Sequence, residues 1–155
     1  MRHKVVPLVL ILVPLLAGCA GLRQIVPTPS ASIESADVAG VSFTGVTLRF
    51  QVNVTNPYGS AMPLIGLDYT LASRGNTFLK GDLPARESIP AGSSSVIPMD
   101  VTLPFQALRD IGETVRPGAE IPYRADLGIK VDAPVVGVIR VPAAKDGTLL
   151  IPSFP

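Results

Sequence analysis

The residue types that most often carry out chemistry are scarce in this sequence. Its 155 residues include one cysteine, Cys19, and one histidine, His3. A lone cysteine has no disulfide partner within its own chain, and export would leave its thiol open to oxidation. Carboxylates remain for acid–base chemistry, and Asp126 and Asp132 lie six positions apart, which places them on the same face of an extended strand. These four residues are the candidates for thiol, histidine or paired-carboxylate chemistry in this chain.

The surroundings of Cys19 indicate lipid attachment. A basic start and an apolar run of thirteen residues precede it, which is the layout of a secretory signal. The residues Leu16, Ala17, Gly18 and Cys19 resemble the bacterial lipobox. This resemblance implies that residues 1–18 are a cleaved signal peptide, recognised by signal peptidase through the three residues before the cysteine, and that Cys19 carries a covalent lipid.

Two other interpretations of this region are weaker. A permanent transmembrane helix needs about 20 apolar residues, and the apolar run is shorter and contains Pro7 and Pro14. Cys19 could instead be an ordinary small residue in a conventional signal. Lipidation explains more, because acylating the sulfur also removes the unpaired thiol.

A lipid on Cys19 predicts where the protein is found. Two or three acyl chains anchor a protein stably to a membrane. Ala20 follows the cysteine, and by resemblance to lipoprotein sorting rules this favours the outer membrane, facing the periplasm. The predicted location is therefore the cell envelope, with the membrane as the first partner and envelope proteins as further candidates. The covalent lipid is the only added group, and no cofactor is predicted.

Removal of the signal peptide also narrows the possible functions. His3 leaves with it and Cys19 is acylated, so histidine-dependent triads, thiol nucleophiles and ordinary zinc sites are excluded. Asp126 and Asp132 fall on the polar face of an alternating segment, where solvated charges are the simpler interpretation. Arg2 and Lys4 are lost, so 13 basic residues become 11 against 12 acidic ones. Neither sign of charge forms a block, and a nucleic-acid partner is therefore not predicted. The sequence therefore predicts that the protein is not an enzyme.

Beyond Cys19, composition divides the chain into a tether and one domain. Residues 19–31 contain Pro27 and Pro29, and the twelve from Ala20 could extend over roughly 40 Å. The 124 residues 32–155 are enough for one domain with a single core.

Alternating apolar and polar residues predict a mainly β domain. Four long strands are indicated at 46–54, 65–71, 97–103 and 121–131, with apolar faces that include Phe50, Ile65 and Leu67. Weaker strands are indicated at 32–38, 78–83, 135–141 and 149–151, and turns include 56–59, 73–76, 90–93 and 146–147. Seven or eight short strands predict an antiparallel β-sandwich.

Two features interrupt the alternation. Pro98 and Pro122 lie inside predicted strands and should mark edge or bulge positions. From Pro104 to Val115, apolar residues recur at three- and four-residue spacing, with Glu113 among the polar residues of the other faces. This spacing predicts a short helix between late strands, which caps one end of the sandwich. Its apolar stripe is interpreted as core, with a partner-binding surface as the alternative.

The order of several short motifs resembles the late embryogenesis abundant type 2 family, whose module is also called the water stress and hypersensitive response domain. The matching segments are 53–57 (Asn-Val-Thr-Asn-Pro), 63–69, 75–81, 89–94 (Ile-Pro-Ala-Gly-Ser-Ser), 96–114 and 121–123. The resemblance covers residues 33–152. It implies an immunoglobulin-like or fibronectin-like sandwich and a non-enzymatic role in desiccation or water stress.

Asn56 and Pro57 are the positions carried over from the family motif, and we interpret them as structural, with a functional surface loop as the alternative. Asn56 can hydrogen-bond to nearby backbone, and Pro57 fixes the backbone where the strand stops.

Two functions follow from the sequence. The first is a stress-protective envelope lipoprotein. The second is an accessory lipoprotein that docks in an envelope assembly or binds an apolar ligand between its sheets. A hydrophobic groove or a contiguous exposed apolar patch would favour the second, and a filled core would favour the first.

Overall fold

The computed structural model describes residues 27–151, which form seven strands and one short helix. The elements are β1 (Ser30–Val41), β2 (Gly45–Thr55), β3 (Met62–Ser73), β4 (Asn76–Ile89), β5 (Ser94–Pro104), α1 (Phe105–Asp110), β6 (Glu120–Ala133) and β7 (Gly137–Leu150). One sheet has the order β1-β2-β5 and the other β4-β3-β6-β7, and all neighbouring strands are antiparallel. The predicted antiparallel sandwich, with one short helix between late strands, is confirmed.

The core lies between the two sheets and follows the alternation in the sequence. In β2, β5 and β6 the alternating apolar side chains are buried and their neighbours face outward. Phe50 of β2 and Tyr123 of β6 meet across the core edge to face, with ring centroids 6.5 Å apart. The buried apolar residues of both sheets and the helix form one continuous cluster.

The predicted face of β3 is wrong at Ile65. A register shift between Leu64 and Gly66 interrupts the pairing of β3 with both of its neighbours. Because one extra residue reverses the alternation, Leu64 and Leu67 both point into the core, while Ile65 is 43% exposed. The apolar face thus consists of two half-strands joined at a bulge.

The predicted turn at 146–147 is also wrong. Residues 137–150 form one continuous strand, so the two weaker strands predicted near the C-terminus are a single strand, β7. Gly147 lies opposite Tyr123 in the β6–β7 pairing, and a Cβ at Gly147 would lie 2.6 Å from the Tyr123 ring. The glycine therefore serves ring packing rather than a turn.

The two strand prolines differ in position. Pro98 lies in β5, at the edge of its sheet, as predicted. Pro122 lies in β6, an inner strand, and no register shift interrupts its pairing with β7, so the predicted edge or bulge position is wrong. Its carbonyl accepts a hydrogen bond from Ser73 Oγ (2.6 Å) at the very end of β3, beyond the last β3–β6 pair at Ala72 and Arg124. No backbone N–H is required there, and a proline is tolerated.

The helix is shorter than the predicted segment 104–115. It ends at Asp110, and Ile111 and Gly112 already leave the helical conformation, with φ of +82° at Gly112. Phe105 and Leu108 are buried, which confirms the core interpretation for this part of the stripe. Glu113 then turns inward rather than lying on an outer helix face.

The two ends of the sandwich can be named from the strand pairing. Ser30 at the start of β1 pairs with Thr55 at the end of β2, and the chain then crosses to the start of β3. Leu64 near that start pairs with Val131, so the β6–β7 turn is at the same end. We call this the tether end and the opposite end, where α1 lies, the helix end. Because β1 begins at Ser30, the last two residues of the predicted tether belong to the sheet.

Candidate functional site

Asn56 is the buried polar centre of the loop between β2 and β3. Its side chain is completely buried, and Nδ2 donates to the carbonyls of Ser60 (2.8 Å), Ile89 (3.0 Å) and Pro90 (3.0 Å). Oδ1 accepts a hydrogen bond from the backbone N–H of Tyr58 (2.9 Å). An amide combines donors and an acceptor in one group, so it can satisfy both kinds of backbone group at once.

Backbone hydrogen bonds join this loop to the β4–β5 turn. Asn56 N–H donates to the Ser93 carbonyl (2.8 Å), and Gly92 N–H donates to the Tyr58 carbonyl (2.9 Å). Gly92 has φ of +61°, a conformation that glycine adopts readily. Pro57, half-buried, follows Asn56 directly. The two motif residues therefore lie within a bonded pair of loops at the tether end, and their structural role is a prediction that substitution can test.

The carboxylates singled out in the sequence do not form a site together. Asp126 and Asp132 both belong to β6, and six residues along a strand correspond to roughly 20 Å. Asp126 accepts hydrogen bonds from Arg124 Nε (3.2 Å), and Asp132 is exposed near the β6–β7 turn. Within residues 27–151 no group of three or more histidine, cysteine or acidic side chains could hold a metal ion.

The most connected polar group lies on the outer face of the four-stranded sheet. We call Asp68, Asp82, Lys130 and Arg140 the outer charge cluster. Asp68 of β3 and Asp82 of β4 stand directly opposite each other, which alone would be repulsive. Lys130 Nζ is 2.7 Å from Asp82 and 3.7 Å from Asp68, and Arg140 Nε donates to both Asp68 carboxylate oxygens at 3.0 Å. Two cations thus compensate two anions.

Gly128 makes the Arg140 contact possible. Arg140 belongs to β7, whereas Asp68 belongs to β3, and β6 lies between those strands. Gly128 of β6 pairs with Asp68, and a Cβ on it would overlap the Arg140 guanidinium. The arginine therefore crosses β6 over a position without a side chain.

The contacts within the cluster also shift the pKa values of Asp68 and Lys130. The hydrogen bond from Arg140 lowers the pKa of Asp68, although partial burial opposes that shift. The hydrogen bond to Asp82 raises the pKa of Lys130. Both shifts favour the charged forms, so Asp68 and Lys130 stay ionised near neutral pH.

A similar polar ladder covers the outer face of the three-stranded sheet. Arg49 of β2 lies opposite Asp100 of β5, and its Nε donates to Asp100 at 2.7 Å. This hydrogen bond lowers the pKa of Asp100. Beside it, the hydroxyls of Thr47 and Thr102 are 3.1 Å apart. Both sheets therefore present charges that are paired within the molecule.

The sequence missed one interior polar contact at the helix end. Glu113 has a side chain only 8% exposed, and its carboxylate oxygen lies 2.8 Å from Oγ of buried Ser73, whose single hydroxyl hydrogen is shared between this carboxylate and the Pro122 carbonyl. Arg74 Nη1 lies 3.6 Å from the other carboxylate oxygen. The helical spacing predicts Glu113 on an outer face. Because α1 already ends at Asp110, Glu113 leaves that face and turns inward.

The predicted lipidation residues lie outside the described part of the chain. These are Leu16, Ala17 and Gly18 of the signal peptidase recognition sequence, and Cys19. Across residues 27–151, no helix has the length and apolar character required to cross a bilayer.

Comparison with known proteins shows which family this architecture represents. The family profile described as "Late embryogenesis abundant protein" matches residues 51–147. A desiccation-related protein of Arabidopsis thaliana is 30% identical over 129 residues, which cover 83% of this chain and 78% of the relative. A desiccation protectant protein of Glycine max is 29% identical over 128 residues, covering 83% and 84% of the two chains.

Solved structures agree with the sequence match. The solution structure of a protein described as late embryogenesis abundant superposes with a TM-score of 0.70 at 29% identity, covering 83% of this chain and 74% of the other. A second solution structure, from Arabidopsis thaliana, has a TM-score of 0.66 at 29% identity and covers 83% and 85%. A crystal structure from Archaeoglobus fulgidus shares the fold alone, with a TM-score of 0.59 at 13% identity, covering 83% and 98%. The sandwich, its motif loops and these matches show that the chain belongs to the late embryogenesis abundant type 2 family.

Proposed function

We propose that this protein is a membrane-anchored, non-enzymatic lipoprotein that protects components of the cell envelope during desiccation or other water stress. The observation that carries this proposal is family membership, since relatives matched over 83% of the chain are named for desiccation. Because the match spans most of the described domain rather than one motif, the property that those names describe can be ascribed to the domain as a whole.

The structure supports protection through surfaces rather than through an internal site. Buried apolar side chains of both sheets form one continuous cluster between them, so an apolar ligand held there would have to displace core side chains. The outer faces are polar, and their strongest charge pairs are satisfied within the molecule. Such a surface can lie beside other proteins or lipid headgroups without adhering tightly to them.

The anchor is the second part of the proposal. Cleavage before Cys19 and acylation of its sulfur would hold the domain at the membrane through a short tether, and Ala20 favours the outer membrane facing the periplasm. Mass spectrometry of the membrane-extracted protein should find an acylated N-terminal Cys19. Cys19→Ser should block processing, and recovery of an intact Met1 from wild-type cells would refute the anchor.

Protection is tested separately from anchoring. Deletion of the gene should reduce survival after drying, osmotic shock and freezing, and the wild-type gene should restore it. The purified domain should preserve the activity of a labile enzyme through drying. The purified protein for this enzyme assay lacks residues 1–18 and carries Cys19→Ser, so that it keeps the domain without the anchor. Unchanged survival together with no enzyme protection would refute the stress function.

The alternative is an accessory binding lipoprotein that docks in an envelope assembly. One observation favours it, namely the apolar β6–β7 turn with exposed Val135, Val136 and Val138. Stable co-purification of one envelope protein, lost when these valines are replaced by serine, would support this alternative.

A further inference from the structure

The β6–β7 turn exposes three valines within a continuous apolar stretch of sequence at the tether end. Residues 133–139 read Ala-Pro-Val-Val-Gly-Val-Ile and contain no polar side chain. Val135 is fully exposed, Val136 is 54% exposed and Val138 is 65% exposed. Elsewhere in the described domain, Val96 and Leu150 are exposed singly, and the exposed Val38, Val41 and Phe43 near the β1–β2 turn are separated by other residues, Ser42 among them. Continuity distinguishes this segment from ordinary surface apolar residues.

The apex of the turn has an unfavourable backbone for its residue. Val135 adopts φ of +73°, which is a genuine outlier for a β-branched side chain, and Gly137 follows at +80°. Glycine or asparagine would suit the position of Val135 better. An apolar residue held at the tip against this local preference is an observation from which function can be inferred.

The chain leaves the domain at the same end. β1 begins at Ser30 at the tether end, and the eight residue-to-residue steps from Cys19 to Pro27 can span at most roughly 26 Å. A lipid on Cys19 would therefore hold the tether end close to the bilayer, with the β6–β7 turn on its membrane side.

We propose that the β6–β7 turn is a second membrane contact, which places its valines among the upper acyl chains of the bilayer that holds the lipid anchor. This inference rests on the proposed lipidation of Cys19. The flanking charges fit this depth, because Asp132 lies three residues before Val135, roughly 10 Å away along the strand, and can stay among the headgroups. Arg140 lies beyond the turn on the other strand and is held by Asp68.

Two attachment points would fix the orientation of the domain. A single flexible tether leaves the sandwich free to rotate, whereas the tether and turn together direct the strands away from the bilayer. The helix end, with α1 and Glu113, would then face away from the membrane.

The chain itself offers a clean test, because Cys19 is its only cysteine. When Cys19 is acylated, Val136→Cys has one free thiol for a nitroxide spin label. Val41→Cys is the matched control, since Val41 is 43% exposed and ends β1 at the helix end. Val138→Cys is a second reporter in the turn. Each full-length lipidated protein is reconstituted in vesicles of phosphatidylethanolamine and phosphatidylglycerol.

For each nitroxide label, the measured quantity is its collision rate with oxygen, which concentrates in the bilayer, divided by its collision rate with a water-soluble nickel complex. The labels at 136 and 138 should show a ratio at least about threefold above that at 41, as for a side chain below the headgroups. Equal ratios in protein that floats with vesicles would overturn the inference. Spin–spin broadening at 136 that dilution with unlabelled protein removes would also overturn it, by identifying a second copy as the occupant. Protein that carries no lipid and fails to float would instead refute the anchor.

Discussion

Replacing Asn56 by aspartate should destabilise the domain far more than so small a change in side-chain shape suggests. The amide N–H groups donate to the carbonyls of Ser60, Ile89 and Pro90 in a completely buried position. In Asn56→Asp, a carboxylate oxygen faces those carbonyl oxygens instead. The donors are lost and an uncompensated charge is introduced among acceptors.

The size of the effect can be worked out from these contacts. Two N–H donors are lost, each contributing about 0.5–1.5 kcal/mol net, and the buried charge adds several kcal/mol unless the carboxyl takes up a proton. We expect the free energy of unfolding to fall by about 4 kcal/mol at pH 7. Asn56→Ala introduces no charge and should cost about 2–3 kcal/mol, because the same donors are removed.

The pH dependence identifies the mechanism. Burial and the facing carbonyls should raise the pKa of the new carboxyl in the folded state above its unfolded value of about 3.9. The folded variant then binds a proton that the unfolded chain releases, so its deficit relative to wild type should shrink as the pH falls from 7 towards 4.

Urea unfolding of residues 19–155 carrying Cys19→Ser measures this loss as a midpoint lower by about 2 M at unchanged slope. Asn76→Asp is the matched control, since Asn76 is exposed at the start of β4. A change at position 56 below about 0.5 kcal/mol, or a deficit that does not depend on pH, would show that Asn56 does not join the two loops as described.

Three further effects follow from the outer charge cluster and the core. Gly128→Ala should lower the free energy of unfolding by about 1–2 kcal/mol, because it displaces Arg140, and by less when Arg140→Met is also present; Gly59→Ala, with open space around it, should be nearly neutral. Urea unfolding of Gly128→Ala, Arg140→Met, the double variant and Gly59→Ala measures these costs, and additive costs of the two cluster substitutions would contradict the contact. Because the pKa of Asp68 is lowered in the folded state, its contribution to the free energy of unfolding is present above its ordinary pKa of 3.8 and is lost as the pH falls through the folded value. Asp68→Asn should therefore make the free energy of unfolding fall less steeply at acid pH, and an unchanged slope would count against the pairing with Arg140. Burial, with a smaller effect of Asp37, raises the pKa of Tyr123 above 10.0, so the stability that this phenol contributes is present below pH 10 and is lost as the pH rises through the folded value. In an absorbance titration of tyrosine ionisation, Tyr123→Phe should remove the phase at the highest pH. Persistence of that phase would contradict the burial.

Strands with regular pleat could be predicted from the sequence, whereas irregular ones could not. In β2 every second side chain enters the core, so Phe50 and its neighbours stand out as an alternating pattern. The bulge at Ile65 reverses that alternation, and it is visible only in the pairing with β4 and β6. The sequence predicts a turn at Gly147 for a related reason, because glycine beneath an aromatic ring and glycine in a turn look alike in a sequence.

Contacts between distant residues were beyond the sequence in the same way. The outer charge cluster joins residues 68, 82, 130 and 140, and only the register of four strands shows that they meet. The β6–β7 turn was hidden because residues 133–139 lack polar turn residues, so part of it was interpreted as a strand from 135. Asn56 was found because its motif is local and its order relative to the Gly-Ser-Ser turn is recognisable.

The outer charge cluster has a further consequence when the solvent itself is withdrawn. In dilute solution, exposed pairs such as Arg140 with Asp68 contribute little, because water screens them. Coulomb attraction varies inversely with the dielectric constant, so the same pairs strengthen as the surroundings of the protein lose water, without any movement of the backbone. Since the four charges already cancel one another, they need no counterion or neighbouring protein as the medium becomes less polar. On this face of the sheet, loss of water should therefore strengthen the contacts that join β3, β4, β6 and β7.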